Sequence, residues 1–311
     1  MTNRDFAWQG HAAMLSANII WGLNAPIGKE ALLSLSPQVI TSFRLLGGCL
    51  AFWLLSAFLP KEHVSARDKI SFVFAALAGF TFNQGLFITG LSLTSPVDAA
   101  IITSALPVIT MLLAALLLRE PITWKKVAGI LLGITGALIL IAGGSHDSSG
   151  SSLTGNILCF TAQISFALYL TLFKGLISRY SPVTVSKWLF LFASVFYLPF
   201  AAGNVAAVDY AAISPQLWWR IAYIILGATF VAYLLIPVGQ KLLRPTIVSM
   251  YNYVQPVVAS AVSVALGLSI FGVKNALAIV LIFTGVWFVT QSKSRAQIEQ
   301  QNKKAGTSHN R

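Results

Sequence analysis

Long apolar runs, separated by short polar segments, extend from residue 12 to residue 291. A bilayer core of about 30 Å is crossed by roughly 20 apolar residues in an α-helix. The first run lacks the small-residue cleavage site of a signal peptide, so we expect it to be retained. We predict an all-α integral membrane protein with ten transmembrane helices, at residues 12–32, 38–58, 70–90, 97–118, 125–142, 153–175, 184–202, 217–238, 246–268 and 273–291.

Charge is scarce and unevenly distributed between the ends of these helices. Of the 311 residues, 56% are hydrophobic and only 10% are charged, which is unlike a soluble domain. With the N-terminus in the cytoplasm, sixteen of the 21 Lys and Arg residues fall in cytoplasmic segments: Arg4, Lys61, Arg67, Lys69, Arg119, Lys125, Lys126, Lys174, Arg179, Lys241, Arg244, Lys293, Arg295, Lys303, Lys304 and Arg311. The positive-inside rule therefore predicts that both termini are cytoplasmic. The net charge of +12 is explained by topology, and we expect no nucleic-acid partner.

The chain repeats itself with an offset of 149 residues. Nine residues, Pro96, Pro107, Val108, Leu117, Lys125, Ile130, Leu132, Thr135 and Gly136, recur as Pro245, Pro256, Val257, Leu266, Lys274, Ile279, Leu281, Thr284 and Gly285. Since each copy holds five spans, the second copy must enter the membrane from the opposite side. We predict two inverted five-helix repeats, 1–142 and 153–291, with a Gly/Ser-rich linker at 143–152 and a cytoplasmic tail at 292–311. Inverted repeats are characteristic of alternating-access transporters.

The stretch from Pro96 through Gly143 closely resembles the EamA domain of the drug/metabolite transporter superfamily. The similar features are Pro107 in the middle of span 4, Glu120 at the inner end of that span, and the span 5 glycines Gly129, Gly133 and Gly136. The motif WGLNAPIGK, from Trp21 to Lys29 in span 1, and Arg44 early in span 2 are also similar. The resemblance covers residues 12–291 and implies a ten-helix carrier of two EamA repeats. The second repeat departs from this pattern, with Ser269 in place of an acid and Leu189 in place of a base.

Polar residues recur at matching depths in the two halves. Each is costly in hydrocarbon and is therefore expected to face the bundle interior. With offsets of 145 for spans 1 and 2 and 149 thereafter, the repeat pairs Asn18 with Gln163, Trp21 with Phe166, Asn24 with Tyr169, Gln84 with Tyr233, and Thr103 with Asn252. Together with Asn83, Ser104, Tyr251 and Gln255, they predict a cavity for a small, partly apolar, neutral or zwitterionic solute. The alternative is a set of interhelical hydrogen bonds, worth about 0.6 kcal/mol each.

Backbone irregularity and close packing are also predicted. Pro107 and Pro256 each remove a donor in mid-span, so each helix bends or unwinds, either at a cavity or as a simple kink. Gly129, Gly133 and Gly136 predict close contact with another helix, within their half or in a homodimer. Cys49 and Cys159 lie in spans, where we expect small buried residues rather than a disulfide.

Arg44 is the one guanidinium placed well inside a span. It is a candidate anchor for a carboxylate of the solute. The alternatives are an ion pair with Asp98 or Glu30, or snorkelling to the interface. Glu120 is expected to cap a helix or form a salt bridge at the inner interface. Facilitated export, exchange and proton antiport through Asp98 all stay open.

Other functional classes fit the chain less well. His11, His63, His146 and His309 are scattered, and no span holds paired carboxylates or metal-ligand spacing, so we expect no enzyme, metal or cofactor. A sensor or scaffold would need a soluble output domain, and a multidrug or cationic efflux carrier would need a deep acid. We predict a secondary transporter of the bacterial cytoplasmic (inner) membrane that exports an amino acid or related metabolite, with the solute and the lipid bilayer as its partners.

Overall fold

The computed structural model describes residues 7–94, 96–142, 152–265 and 272–293, and all regular structure in these ranges is helical. The first half consists of α1 (Ala7–Leu32), α2 (Pro37–Ala57), α3 (Ala66–Ala76), α4 (Asn83–Leu93), α5 (Pro96–Thr103), α6 (Leu106–Leu118) and α7 (Trp124–Ala142). The second half consists of α8 (Leu153–Leu172), α9 (Lys174–Arg179), α10 (Pro182–Ala206), α11 (Pro215–Ile225), α12 (Ala232–Leu242), α13 (Pro245–Met250), α14 (Val254–Ala265) and α15 (Val273–Thr290). Most of the predicted linker and tail lies outside the described residues.

Eight helical stretches within the described ranges are long and apolar enough to cross a bilayer. They are Pro37–Ala57, Ala66–Leu91, Ala99–Leu118, Trp124–Ile141, Leu153–Leu172, Pro182–Ala206, Pro215–Leu242 and Val273–Thr290. Each coincides with one of the predicted spans. Helix α1 and the α13–α14 segment occupy the positions of the other two predicted spans, the first and the ninth. The all-helical membrane architecture predicted from the apolar runs is thus confirmed.

Two of the spans contain a π-helical turn at the same repeat position. The segment Leu77–Phe82 joins α3 to α4, and the segment Leu226–Val231, 149 residues later, joins α11 to α12. A π-helix bonds each N–H to the carbonyl five residues earlier, and such turns are frequent at functional sites. The hydrophobic pattern predicts an uninterrupted helix in both places. The two π-segments are therefore a feature found only in the structure.

The fourth and ninth spans are each built from two helices. Helix α5 ends at Thr103 and α6 begins at Leu106, with Pro107 in its first turn. In the second half, the 3₁₀ turn Tyr251–Tyr253 separates α13 from α14, whose third residue is Pro256. Proline lacks an N–H and clashes with the preceding turn, but it fits the first turn of a helix. Both spans are interrupted just before their proline.

Helix packing follows a pseudo-twofold pattern. Helix α2 packs on α10 and α7 packs on α15, so two helices contact their own repeat counterparts. Other contacts occur as repeat-related pairs. Helix α4 packs on α8, and its counterpart α12 packs on α1; likewise α6 packs on α8, and its counterpart α14 packs on α1. Exchanging the two halves leaves the first two contacts unchanged and converts each of the others into its repeat-related contact. The halves interlock through all four kinds of contact rather than forming separate bundles.

Glycines bring α7 and α15 into backbone contact. A Cβ built on Gly129 would lie 2.5 Å from the Gly285 carbonyl oxygen, and one built on Gly285 would lie 2.5 Å from the Gly129 carbonyl oxygen. A Cβ on Gly133 would meet the Tyr253 ring at 2.5 Å. The expectation that these glycines pack within one half or between protomers is therefore wrong. They let the two halves of one chain approach closely, because no side chain separates the helices.

We predict that Gly285→Ala lowers the melting temperature of the purified protein in detergent. The new Cβ meets backbone atoms that cannot rotate away, and overpacking of this kind costs about 1–3 kcal/mol. Gly203→Ala in α10 is the matched control, since nothing lies within 4 Å of its Cβ. The control is expected to be neutral or slightly stabilising, as Ala favours helix over Gly. Equal melting temperatures for the two variants would contradict the close α7–α15 contact.

Candidate functional site

A chain of three amides joins the first span to the interrupted ninth span. Asn18 is fully buried, and its Nδ2 donates to the Met14 carbonyl at 2.8 Å. Its Oδ1 accepts a hydrogen bond from Gln255 Nε2 at 2.9 Å. The same Gln255 nitrogen donates to Asn252 Oδ1 at 3.3 Å. Three of the predicted site residues are thus brought together beside the break before Pro256.

A counterpart of this chain exists in the other half. Gln163 Nε2 donates to Thr103 Oγ1 at 3.5 Å, and Thr103 Oγ1 donates to the Ala99 carbonyl at 2.8 Å. Under the repeat, Gln163 corresponds to Asn18 and Thr103 corresponds to Asn252. The same pair of repeat positions is therefore linked in both halves, directly between Gln163 and Thr103 and through Gln255 between Asn18 and Asn252.

The two helix breaks contact each other directly. The Tyr253 hydroxyl donates to the Ser104 carbonyl at 3.0 Å, and Ser104 Oγ donates to the Ala100 carbonyl at 3.0 Å. The Ser104 carbonyl lies in the gap between α5 and α6, where its helical acceptor role is lost. A side chain of the second half thus satisfies a carbonyl freed in the first half.

An aromatic cluster lies between the two π-segments. The Tyr233 ring centroid is 5.0 Å from that of Phe80, 5.1 Å from that of Phe190 and 5.5 Å from that of Trp21. Trp21 Nε1 donates to the Ala228 carbonyl in the second π-segment at 2.9 Å. Tilted and edge-to-face ring pairs at these distances are favourable beyond the area they bury. Trp21 and Tyr233 were predicted, and the structure places them in contact.

Arg44 projects toward the second π-segment. It lies seven residues into α2, about 10 Å from the start of that helix. Its Nε donates to Thr229 Oγ1 at 3.2 Å, and Thr229 in turn donates to the Ile224 carbonyl at 2.8 Å. Glu30, a predicted partner of Arg44, instead pairs with Arg220 at 3.4 Å. That predicted ion pair is wrong, since the exposed Glu30 pairs with Arg220, and the Asp98 side chain lies outside the described part of the chain.

Two predicted residues make interhelical hydrogen bonds, and a third packs within its own helix. Asn83 Nδ2 donates to the Ala162 carbonyl of α8 at 2.9 Å. The Tyr169 hydroxyl of α8 donates to Gln240 Oε1 of α12 at 3.1 Å. Phe166 stacks on Tyr169 of the same helix with centroids 5.8 Å apart. The two hydrogen bonds hold α8 against its neighbours.

The remaining predicted residues differ in their partners. The Tyr251 hydroxyl shares a hydrogen bond of 2.8 Å with His11 Nδ1, near the start of α1. Asn24 Oδ1 and Gln84 Oε1 are buried without a hydrogen-bond partner among the described residues. Gln84 is 7% exposed and lies four residues after Phe80, whose ring contacts that of Tyr233. Buried acceptors in native proteins are nearly always bonded, so these two oxygens mark places for water or a ligand.

Several residues of the site were not predicted from the sequence. They are Phe80, Phe190, Thr229 and the Ala228 carbonyl. An apolar ring or a backbone carbonyl carries no polar signal within a span. One available clue is the repeat, because Phe80 and Thr229 are 149 residues apart and both face this site.

Cations tie the helices together at the end of the bundle that holds Glu120. Lys126 Nζ contacts Glu120 Oε2 at 2.7 Å with its side chain only 1% exposed, which confirms the salt bridge expected of Glu120. Lys174 Nζ donates to the carbonyls of Gln240 and Leu243 at the end of α12. These bonds satisfy terminal carbonyls that have no helical partner. Charge-assisted hydrogen bonds thus join the helices at this end.

The loop before α3 also contacts this end. Glu62 accepts hydrogen bonds from the Ser181 backbone N–H at 3.0 Å and from Ser181 Oγ at 2.8 Å. Partial burial alone would raise the pKa of Glu62, but the hydrogen bonds of Thr184 and Ser181 outweigh it and lower the pKa below its ordinary value. The carboxylate is therefore ionised at neutral pH and holds the start of α10.

Comparison with known proteins agrees with this two-part architecture. The model of the EamA-like transporter family matches residues 8–142 and again residues 153–291. A solved crystal structure superimposes with a TM-score of 0.73 at 17% identity, covering 90% of this chain and 96% of the other. That likeness supports the fold alone.

Two curated relatives match along most of the chain, and a third matches somewhat less than half of it. The uncharacterized transporter YetK of Bacillus subtilis (strain 168) is 26% identical over 92% of this chain and 87% of its own length. The uncharacterized transporter YvbV of the same organism is 27% identical, covering 90% of each chain. The protein WALLS ARE THIN 1 of Arabidopsis thaliana is 32% identical over 46% of this chain and 39% of its own length.

We predict that Glu120→Gln strongly destabilises the protein, because it leaves Lys126 buried without a counter-ion. Removing one partner of a buried pair costs about 3–5 kcal/mol. The double variant Glu120→Gln with Lys126→Met is expected to recover most of this loss. Glu30→Gln is the control, since its pair with Arg220 is exposed and such pairs contribute about 0–1 kcal/mol. Thermal unfolding in detergent measures all three; a double variant no more stable than Glu120→Gln would contradict the interpretation.

Proposed function

Because the chain belongs to the EamA-like transporter family, we propose that it is a secondary transporter that exports an amino acid or related metabolite across a bacterial cytoplasmic membrane. One observation carries this proposal: repeat-related polar contacts and an aromatic cluster meet where four spans lose regular α-helical geometry. Irregular backbone at membrane depth is tolerated only against protein or a water-filled cavity. A midplane site at broken helices is the arrangement of many secondary transporters.

An inverted repeat with alternating access is part of the proposal. Gly10, near the start of α1, packs on Leu242 and Leu243 at the end of α12. Lys174, just after the end of α8, donates to carbonyls at that same end of α12. Helix α1 therefore starts where its counterpart α8 finishes. This antiparallel relation, together with the pseudo-twofold packing, supports ten spans with both termini on one side.

Efflux of cationic drugs is less well supported. The polar groups around the aromatic cluster are amides, hydroxyls and the Arg44 guanidinium. A fixed cation repels a cationic solute, and the repulsion is stronger where water is scarce. A neutral, zwitterionic or anionic solute suits this environment.

Counterflow in proteoliposomes tests the transport function. Vesicles are loaded with amino acids, sugars, purines or cationic dyes, with and without a pH gradient. We expect saturable exchange of one chemical class. Trp21→Ala and Asn252→Ala should each reduce transport by about tenfold or more, equivalent to a loss of at least ~1.4 kcal/mol in transition-state stabilisation.

Trp287→Ala is the matched control, because Trp287 is 57% exposed on α15, away from the aromatic cluster. It should insert and transport as the parent protein does. Equal transport by the parent and both site variants would overturn the site assignment. Failure of folded protein to move any solute in the panel would count against the transporter proposal itself.

Cysteine labelling tests the proposed topology. With Cys49 and Cys159 replaced by Ala, single cysteines are introduced as His63→Cys in the loop before α3 and Ala212→Cys in the loop before α11; both sites are exposed. A membrane-impermeant maleimide added to intact cells should label position 212 and spare position 63 until the cells are permeabilised. The reverse pattern would refute cytoplasmic termini.

A further inference from the structure

Arg44 is a membrane-embedded cation without a carboxylate partner among the described residues. The ion pairs in this part of the chain are Lys126 with Glu120, Arg179 with Asp68, and Arg220 with Glu30. A guanidinium has five N–H donors. Only the Nε–H of Arg44 has a described acceptor, the Thr229 hydroxyl at 3.2 Å. The four Nη–H donors have no acceptor among the residues that the structure describes.

The contrast with Lys126 shows that this arrangement is unusual for the molecule. Lys126 is also enclosed, and the fold supplies Glu120 at 2.7 Å to neutralise it. A cation removed from water without a counter-ion costs several kcal/mol. Arg44 is only partly accessible, and its Nε contact turns it toward the π-segment rather than toward the interface. None of the acidic side chains that the structure describes neutralises Arg44.

A second, independent observation comes from the same region. Thr229, which accepts the Arg44 hydrogen bond, lies four residues before Tyr233, and Gln84 lies four residues after Phe80, whose ring centroid is 5.0 Å from that of Tyr233. Gln84 is more than nine-tenths buried, yet its Oε1 has no hydrogen-bond partner in the described residues. A carbonyl oxygen is an acceptor that suits an ammonium group. The surroundings of Tyr233 thus contain a cation that lacks a counter-ion and an acceptor that lacks a donor among the described residues.

We propose that Arg44 binds the carboxylate of a zwitterionic amino acid and that Gln84 Oε1 accepts a hydrogen bond from its ammonium group. This inference rests on the proposed transport function and names the charge class of the solute. The two Nη groups of an arginine match the two oxygens of a carboxylate in bidentate geometry. The partly accessible Trp21 ring, 5.5 Å from that of Tyr233, offers an apolar surface for the rest of the solute.

The arrangement also explains the asymmetry of the two halves. Leu189 occupies the repeat position of Arg44 and is buried in the apolar core. Tyr233 occupies the repeat position of Gln84. A single solute at a pseudo-twofold interface needs one carboxylate site, and the chain holds one arginine there.

The test compares solutes that share a skeleton and differ in charge. Leucine, phenylalanine and threonine are each tested as the free amino acid, the cationic carboxamide and the anionic N-acetyl derivative. The readouts are the shift in melting temperature of the purified protein and competition in counterflow. In at least one series the zwitterion should act at a concentration about tenfold or more lower than either derivative.

Three variants test which side chain binds the carboxylate and which binds the ammonium group of the solute. Arg44→Gln should abolish the preference for the zwitterion over the carboxamide, while the ligand-free melting temperature stays the same or rises because an unpaired cation is removed. Gln84→Leu should abolish the preference over the N-acetyl derivative. Arg220→Gln, which removes the cation at the outer end, should preserve both preferences.

The outcomes separate the two proposals. If Arg44→Gln lowers the ligand-free melting temperature and leaves discrimination intact, Arg44 is a structural donor and this inference is wrong. Transport restricted to uncharged or cationic solutes would overturn it while leaving the transporter proposal standing. Arg44-dependent binding of an amino acid without any transport would support this site and refute the proposed transport function.

Discussion

No backbone N–H or C=O group can remain unpaired in the hydrocarbon core of a bilayer, and the rest of this structure depends on that constraint. Where the spans leave α-helical geometry, side chains from other spans satisfy the carbonyls. Ser165 Oγ donates to Ala78 in the first π-segment at 2.7 Å, and Trp21 Nε1 donates to Ala228 in the second at 2.9 Å. The Tyr253 hydroxyl does the same for Ser104. Each irregularity therefore draws polar groups into the interior.

The internal repeat explains why these groups converge. Two copies of one five-helix unit place two π-segments and two helix breaks at matching depths, and the close α7–α15 contact at Gly129 and Gly285 holds the copies together. The convergence of these groups makes the interior polar, and the sequence differences between the two copies make its two halves chemically different. Leu189 occupies the repeat position of Arg44, so one half contributes a charge where the other contributes an apolar side chain.

Much of this fold is predictable from the sequence because long apolar runs have few alternatives in a membrane. The interruptions of spans 4 and 9 coincide with Pro107 and Pro256, whose missing N–H acts locally. The π-segments were not predictable, since Leu77–Phe82 and Leu226–Val231 contain residues that also suit an ordinary helix. Glu30 was wrongly predicted as a partner of Arg44, because Glu30 pairs with Arg220 and Arg44 turns toward Thr229. Contacts between distant spans are set by packing, which periodicity does not encode.

The central claim is that the interior around Asn252 opens to each side of the membrane in turn. The most direct measurement is the reaction of Asn252→Cys, in a background without Cys49 and Cys159, with an impermeant thiol reagent. The reagent is applied from either face of sealed vesicles. The account predicts reaction from both faces, slowed by a transported solute. Lack of reaction from one face under all conditions, or a rate unaffected by the solute, would contradict it.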